Sequence, residues 1–162
     1  MEIEYCRIRG LEYSGGAADI YKCFDQVRRE IVYELLKEAG FPAGLLHAYK
    51  DFQEALQVRN TVAGGVGEAC KKPTSIPQGD PMSMMITSLL LRAWVMQMRD
   101  LDVLPRILAD DLQLMATSED GRNHLELFKC GFDATHLHLE DLGARLAQEK
   151  CITWSSNVAS GK

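Results

Sequence analysis

Basic residues are in short supply in this chain of 162 residues: 18 lysines and arginines stand against 23 aspartates and glutamates, a net charge of −5 at pH 7. A free-standing nucleic-acid binder usually carries a basic footprint, so the balance argues against a domain that grips DNA or RNA unaided. Cysteine pairs are missing as well. Cys6, Cys23, Cys70, Cys130 and Cys151 are odd in number and include no C-x-x-C spacing. That excludes a disulfide framework and predicts free buried thiols in a reducing compartment. None of the four histidines pairs with cysteine at zinc spacing, and His136-x-His138 falls in a predicted helix, where residues two apart do not face each other. Long hydrophobic runs are absent: the longest uncharged one, Pro81 to Leu91, is too short to span a bilayer and ends at Arg92. The N-terminus has no signal-peptide apolar region, and there is no internal repeat or low-complexity segment. These absences describe a soluble intracellular chain, cytoplasmic or nuclear, with no membrane partner.

What is present is ordinary globular material, 46% apolar and 25% charged, long enough for one domain with a substantial core. Residues up to Ala18 read as a short strand, a turn at Ser14-Gly15-Gly16, and a strand delivering Asp19. Val27, Ile31, Leu35 and Ala39 then recur every four residues, one face of a helix. Asp25 is placed to cap that helix and Gly40 to end it. A second helix is predicted over Pro42 to Ala55. Val58, Asn60 and Val62 suggest a strand, after which Gly64-Gly65-Val66-Gly67 turns the chain. From Pro81 to Val95 the sequence is apolar nearly all round, the pattern of a helix buried on most sides. Pro105 precedes a short strand ending at Leu108, and Leu112, Leu114 and Ala116 alternate with polar neighbours, giving a hairpin with Asp110 and Asp111 at its tip. A long helix fits Asp120 to Leu142, with Leu125, Phe128, Phe132 and Leu139 on a shared side and Gly143 as its stop. Cys151 to Trp154 reads as a closing strand. The order is that of an α+β layer, with helices covering one face of an antiparallel sheet.

Three strings carry the chemistry. Asp19-Ile20-Tyr21-Lys22-Cys23-Phe24-Asp25, Pro77-Gln78-Gly79-Asp80-Pro81-Met82-Ser83 and Leu108-Ala109-Asp110-Asp111 each sit at a junction of strand or loop with helix or turn. Together they would bring three carboxylates to one place, as two-metal phosphoryl transfer requires. Alone, Asp19 is a strand-end turn residue and Asp110-Asp111 a polar hairpin turn. Both in one chain, with Pro-Gln-Gly between them, favour the functional alternative.

The strings resemble motifs A (19–25), B (77–83) and C (108–111) of the reverse transcriptase palm, with motif D at about 143–153, and the likeness spans about residues 14 to 156 of a single domain, 1–162. The patterns are closest to those of non-LTR retrotransposons and group II intron-like enzymes. This resemblance implies an RNA-directed DNA polymerase palm whose fingers and thumb are largely missing. It implies Asp19, Asp110 and Asp111 as catalytic metal ligands for two Mg²⁺ ions (or Mn²⁺), Asp111 ligating more loosely. Ile20, Phe24, Gln78 and Gly79 would contact the nucleotide, with Phe24 excluding a 2′-hydroxyl and Gly79 letting the backbone approach the template base. Lys150 would protonate the leaving pyrophosphate. The implied partners are an RNA template with a DNA primer, deoxynucleotides, and the missing fingers and thumb segments. Phe24 and Ala109 disfavour an RNA-making polymerase. Two departures stand out: Leu108 where Tyr or Phe is usual before Ala-Asp-Asp, and Met84 where Pro is common after Ser83. The acidic balance then reflects absent basic lobes, and a palm-only fragment is expected to have weak or no activity alone. The alternative is a catalytically silent, domesticated palm serving as a nucleic-acid or protein interaction module.

Overall fold

Along the chain run α1 (Glu2–Arg9), β1 (Tyr13–Asp19), α2 (Cys23–Gln26), α3 (Arg29–Glu38), α4 (Ala43–Ala55), β2 (Val58–Val62), β3 (Gly65–Cys70), α5 (Ser83–Asp100), β4 (Leu104–Leu108), β5 (Asp111–Thr117), α6 (His124–Asp141) and β6 (Ile152–Ser155), with a 3-10 turn at Gln148–Lys150 before β6. This computed structural model describes residues 2–72, 74–77, 79–119 and 122–156, without the side chain of Phe24. β4, β5, β1 and β6 form one sheet in that order, each neighbour antiparallel. The expected α+β class and antiparallel sheet are therefore present.

Alternation along the strands divides the sheet into two faces. Ala18, Leu112, Leu114 and Ala116 point to the side covered by α5 and α6, where they pack with Trp94, Met98, Phe128 and Leu139. Trp94 is fully buried, and its indole N–H donates to Thr135 Oγ1 at 2.8 Å, which pins α5 to α6 without leaving a buried donor unpaired. A second cluster joins α3 to the start of α5 through Val32, Leu36, Ile86 and Leu90. On the opposite sheet face, α1 covers only the far end, through Cys6 against Tyr13 and Met115. The other end of that face is open.

The N-terminal segment departs from its sequence reading. A helix, not a strand, comes first, and Ser14-Gly15-Gly16 lies inside β1 rather than in a turn. These glycines serve closeness, not flexibility. A Cβ on Gly15 would lie 2.6 Å from Trp154 Nε1, and one on Gly16 would lie 2.9 Å from Phe128 Cζ, so an aromatic ring rests on each face of the strand. The single helix expected from Val27 onward is broken. Val27 is extended, its carbonyl accepts from Ser75 N–H at 3.0 Å, and Arg28 forms a bridge with Thr74. That pairing supplies backbone partners outside the helix and overrides the local propensity. Asp25 therefore caps nothing: Lys22 precedes α2 and Arg28 precedes α3, neither element has a side-chain cap, and the Asp25 carboxylate instead pairs with Lys72 at 3.2 Å on the surface. Gly40 does end α3. At φ 77° it lets its own N–H reach Lys37 O and the Phe41 N–H reach Leu36 O.

Smaller differences follow from tertiary packing. The chain turns at Ala63-Gly64, and Gly65 and Gly67 belong to β3, which pairs with β2 in an exposed hairpin. Helix α5 is buried along one side only: Met84, Met85 and Met96 are exposed. Helix α6 starts at His124, capped by Asn123, and its buried stripe is His124, Phe128, Gly131, Thr135 and Leu139. His136 and His138 diverge, the first pairing with Glu140 and the second approaching Leu90 O at 3.3 Å. Cys6 and Cys23 are buried free thiols, Cys151 is half-buried, and Cys70 and Cys130 are exposed, contrary to the expectation of uniformly buried cysteines. Among the described residues, no helix is long and apolar enough to cross a membrane.

Two glycine substitutions should act with opposite signs. Gly16→Ala drives a methyl into the buried Phe128 ring and should lower unfolding free energy by about 1–3 kcal/mol. Gly44→Ala, inside α4 with nothing within 4 Å of the new methyl, should raise it by up to about 1 kcal/mol. Urea denaturation of both variants beside the parent protein checks the pair.

Candidate active site

Antiparallel register, read residue by residue, brings the carboxylates of the first and third strings to the open end of the sheet. Asp19 stands directly opposite Asp111, and Asp111 stands opposite Leu108 on β4. Extending the β1–β6 register past Ala17↔Ile152 brings Lys150 to the far side of Asp19. Across this end of the open face the row is thus Leu108, Asp111, Asp19, Lys150. The next row inward is Arg106, Gln113, Ala17 and Ile152.

Backbone bonds lock the ends of these strands. Ile20 N–H donates to Asp110 O at 3.2 Å, tying the hairpin tip to the end of β1. On the other side Ala147 N–H donates to Asp19 O at 2.8 Å and Tyr21 N–H to Arg145 O at 2.9 Å. The hairpin turn consists of Ala109 and Asp110 alone, one residue earlier than a tip made of both aspartates, so that Asp111 already belongs to β5. Ala109 takes φ 58°, as a two-residue hairpin demands of its first turn residue. For a residue with a Cβ, that region costs about 1 kcal/mol.

Asp19, Asp110, Asp111 and Lys150 line one cleft of about 470 Å³, whose walls also carry Gln113 and Ile152. The Asp19 carboxylate is 13% exposed and accepts a hydrogen bond from the Lys150 ammonium, which is 64% exposed. The bond to Asp19 raises the Lys150 ammonium above its ordinary value, and the Asp19 and Asp110 charges add to the effect. Cys23 registers the same field from below: burial first, then the charges of Asp110 and Asp19, together push its thiol up to about 11. It is an inert core thiol, not a nucleophile.

The donors are all carboxylate oxygens, the type that Mg²⁺ and Mn²⁺ take, and Mg²⁺ commonly uses one or two carboxylates with water filling the rest. The set therefore fits such an ion in chemistry. Its geometry is not drawn tight: among the described residues, no group of three or more His, Cys, Asp or Glu side chains is gathered to hold a metal. The cation that Asp19 holds is Lys150.

The remaining sequence candidates fall elsewhere. Ile20 is 3% exposed with its side chain in the core, and its N–H is taken by Asp110, so it offers the cleft neither group. Gly79 adopts φ 89° in the loop before α5 and does not line the carboxylate cleft. Gln78 and the Phe24 side chain lie outside the described residues. Ser83 begins α5 and donates its N–H to Asp80 O at 3.1 Å.

Asp80, beside Gly79, is the residue that sequence reasoning missed. Only 8% exposed, it accepts from Tyr49 OH at 2.8 Å and Gln53 Nε2 at 2.7 Å through one oxygen, and from Met82 N–H at 2.8 Å through the other. Arg29, also buried, joins the cluster by donating to Ser75 O and Gln53 O. Gln53, the one buried side chain described on α4, carries no mark in the sequence that separates it from its polar neighbours Asp51 and Glu54. Asp80→Ala leaves three donors without their acceptor and should cost about 2–3 kcal/mol, whereas Tyr49→Phe should cost about 1 kcal/mol. Both are read from denaturant midpoints.

No family model matches the chain, and no curated protein resembles it in sequence. Solved structures do resemble it in fold. Telomerase from Candida tropicalis, in complex with a fragment of telomeric RNA, superposes with a TM-score of 0.68 at 16% identity, over 91% of this chain and 26% of that one. The apo C. tropicalis enzyme truncated of its C-terminal domain gives 0.67 at 16% identity, over 97% and 34%. Telomerase from Candida albicans gives 0.58 at 14% identity, over 96% and 29%. The chain thus spans about a third or less of the telomerases it resembles. These structural neighbours are telomerases, and the retroelement resemblance rests on the motif strings. At these identities, what the chain shares with part of each telomerase is the fold.

Proposed function

We propose that this chain is the palm of an RNA-directed DNA polymerase from a retroelement, transferring deoxynucleotides to a primer 3′-hydroxyl. The observation that carries the reading is the register: Asp19 faces Asp111 across β1 and β5, with Asp110 in the adjoining two-residue turn. Sequence order, sheet topology and the telomerase-like fold all agree with it. Asp19, Asp110 and Asp111 would hold two Mg²⁺ ions, which when bound supply activation of the attacking hydroxyl and stabilisation of the leaving pyrophosphate.

The chain's own residues have distinct tasks in this reading. Lys150, already in the cleft, donates a proton to a pyrophosphate oxygen as the P–O bond to the leaving group breaks. Gly79, free of a side chain, brings backbone close to the template base, and Phe24 bars a 2′-hydroxyl by its place five residues after Asp19. The exposed Leu108 and Ile152 flank the carboxylates and give the primer end an apolar surface. RNA template and DNA primer would be gripped by basic fingers and thumb outside this chain, consistent with its net charge of −5. One observation favours the second reading, a silent palm acting as an interaction module: the carboxylates are not gathered into a three-ligand set among the described residues.

Primer extension on an RNA template tests the proposal. Slow Mg²⁺-dependent addition of deoxynucleotides, abolished by Asp110→Ala, is expected. Preference for ribonucleotides, or extension surviving Asp110→Ala, contradicts it. Folded protein that extends no primer with either Mg²⁺ or Mn²⁺ fits a palm-only fragment or the silent palm.

A further inference from the structure

We infer that Lys150 is a built-in competitor for the divalent cation, holding Asp19 until a metal ion displaces it. The inference rests on the metal-site reading above and concerns what that reading leaves open, namely what balances the carboxylates before an ion arrives.

Asp19 and Asp111 are directly opposed across two strands. Like charges so placed repel, since side chains at opposed positions lie about 5 Å apart at Cβ. The backbone cannot separate them, because Asp19 O accepts from Ala147 N–H while Ile20 N–H holds Asp110 O. A positive partner offsets that repulsion, and the register supplies one on the other flank of Asp19. The Lys150 ammonium donates to Asp19 Oδ2.

The two members of this pair are unequally held. Asp19 is 13% exposed and fixed at a strand end, whereas Lys150 is 64% exposed. Lys150 ends a single 3-10 turn, on a flexible four-carbon stem. An arriving ion therefore moves the lysine and leaves the carboxylate in place. Because ion and ammonium seek the same oxygens, metal binding has to break the Lys150–Asp19 pair. Removing the ammonium should strengthen divalent binding by about threefold to fivefold, the scale of one exposed ion pair.

Calorimetric titration of the full chain with Mn²⁺ alone, for the parent protein, Lys150→Met, Lys150→Arg and Asp19→Asn, tests this. Lys150→Met should bind about threefold to fivefold tighter than the parent, Lys150→Arg should stay near it, and Asp19→Asn should lose binding. Thermal melts give an independent reading: in EDTA Lys150→Met should melt below the parent, and Mn²⁺ should raise its Tm by more. If parent and Lys150→Met bind equally, or Met and Arg tighten binding alike, the competition is wrong while the metal site stands. If neither the parent nor Lys150→Met binds Mn²⁺, the metal-site reading itself fails and takes the competition with it.

Discussion

Everything at the candidate site depends on how closely β1 can approach its neighbours. Gly15 and Gly16 let Trp154 and Phe128 lie against the strand at distances no side chain would permit, one ring on each face. β1 is the central strand that pairs with both β5 and β6, so its register decides what stands beside Asp19. With side chains alternating at period two, a slip of one residue would turn Asp19 into the helix-covered core and bring Ala18 to the cleft. The rings exclude that slip: a one-residue shift would place Ser14 or Ala17 against an aromatic ring that only glycine accommodates. Packing at the middle of the strand thus fixes chemistry at its end.

The same register creates an electrostatic problem. Opposed carboxylates and a turn residue with positive φ are both locally unfavourable, and they occur within a few residues of one another. Such features persist only where surrounding structure over-determines them. Here the core beneath is apolar and tight, with Ala18, Leu112 and Leu114 directly under the cleft. Cys23 lies near enough below for both Asp19 and Asp110 to raise its thiol, yet it stays a packing group. Strain and charge are concentrated at the open end, and the hydrophobic layer that tolerates them lies behind it.

How much of this was legible in the sequence varied with how local the cause was. The alternation of Leu112, Leu114 and Ala116, the glycine stop at Gly40 and the Pro42–Ala55 helix were readable, because period and punctuation carry them. So was the joining of Asp19 with Asp110 and Asp111, since three ordered strings imply one site more strongly than any one does. The reading failed where a distant partner decided. Gly15-Gly16 looks like a turn unless Trp154 and Phe128 are known to press on it. The break at Val27 depends on Thr74 and Ser75, nearly fifty residues away. Asp80 sits in a variable slot of the second string, and only its buried partners on α4 show what it does.

Asp80 and Asp19 make an instructive pair, because both are aspartates of the motif strings held by hydrogen bonds. Asp80 is 8% exposed and satisfied by three donors, two of them from a helix that packs against it. Exchanging those donors would require moving α4, and the low dielectric around the carboxylate makes any unpaired interval costly. Asp19 has a single side-chain donor, supplied by a lysine that is mostly in water. Its partner can be replaced without disturbing the backbone, and water can fill the interval. Two chemically identical groups of similar burial therefore differ in how their partners are held. Asp80 shapes the loop around Gly79, and Asp19 keeps a partner that solvent can reach.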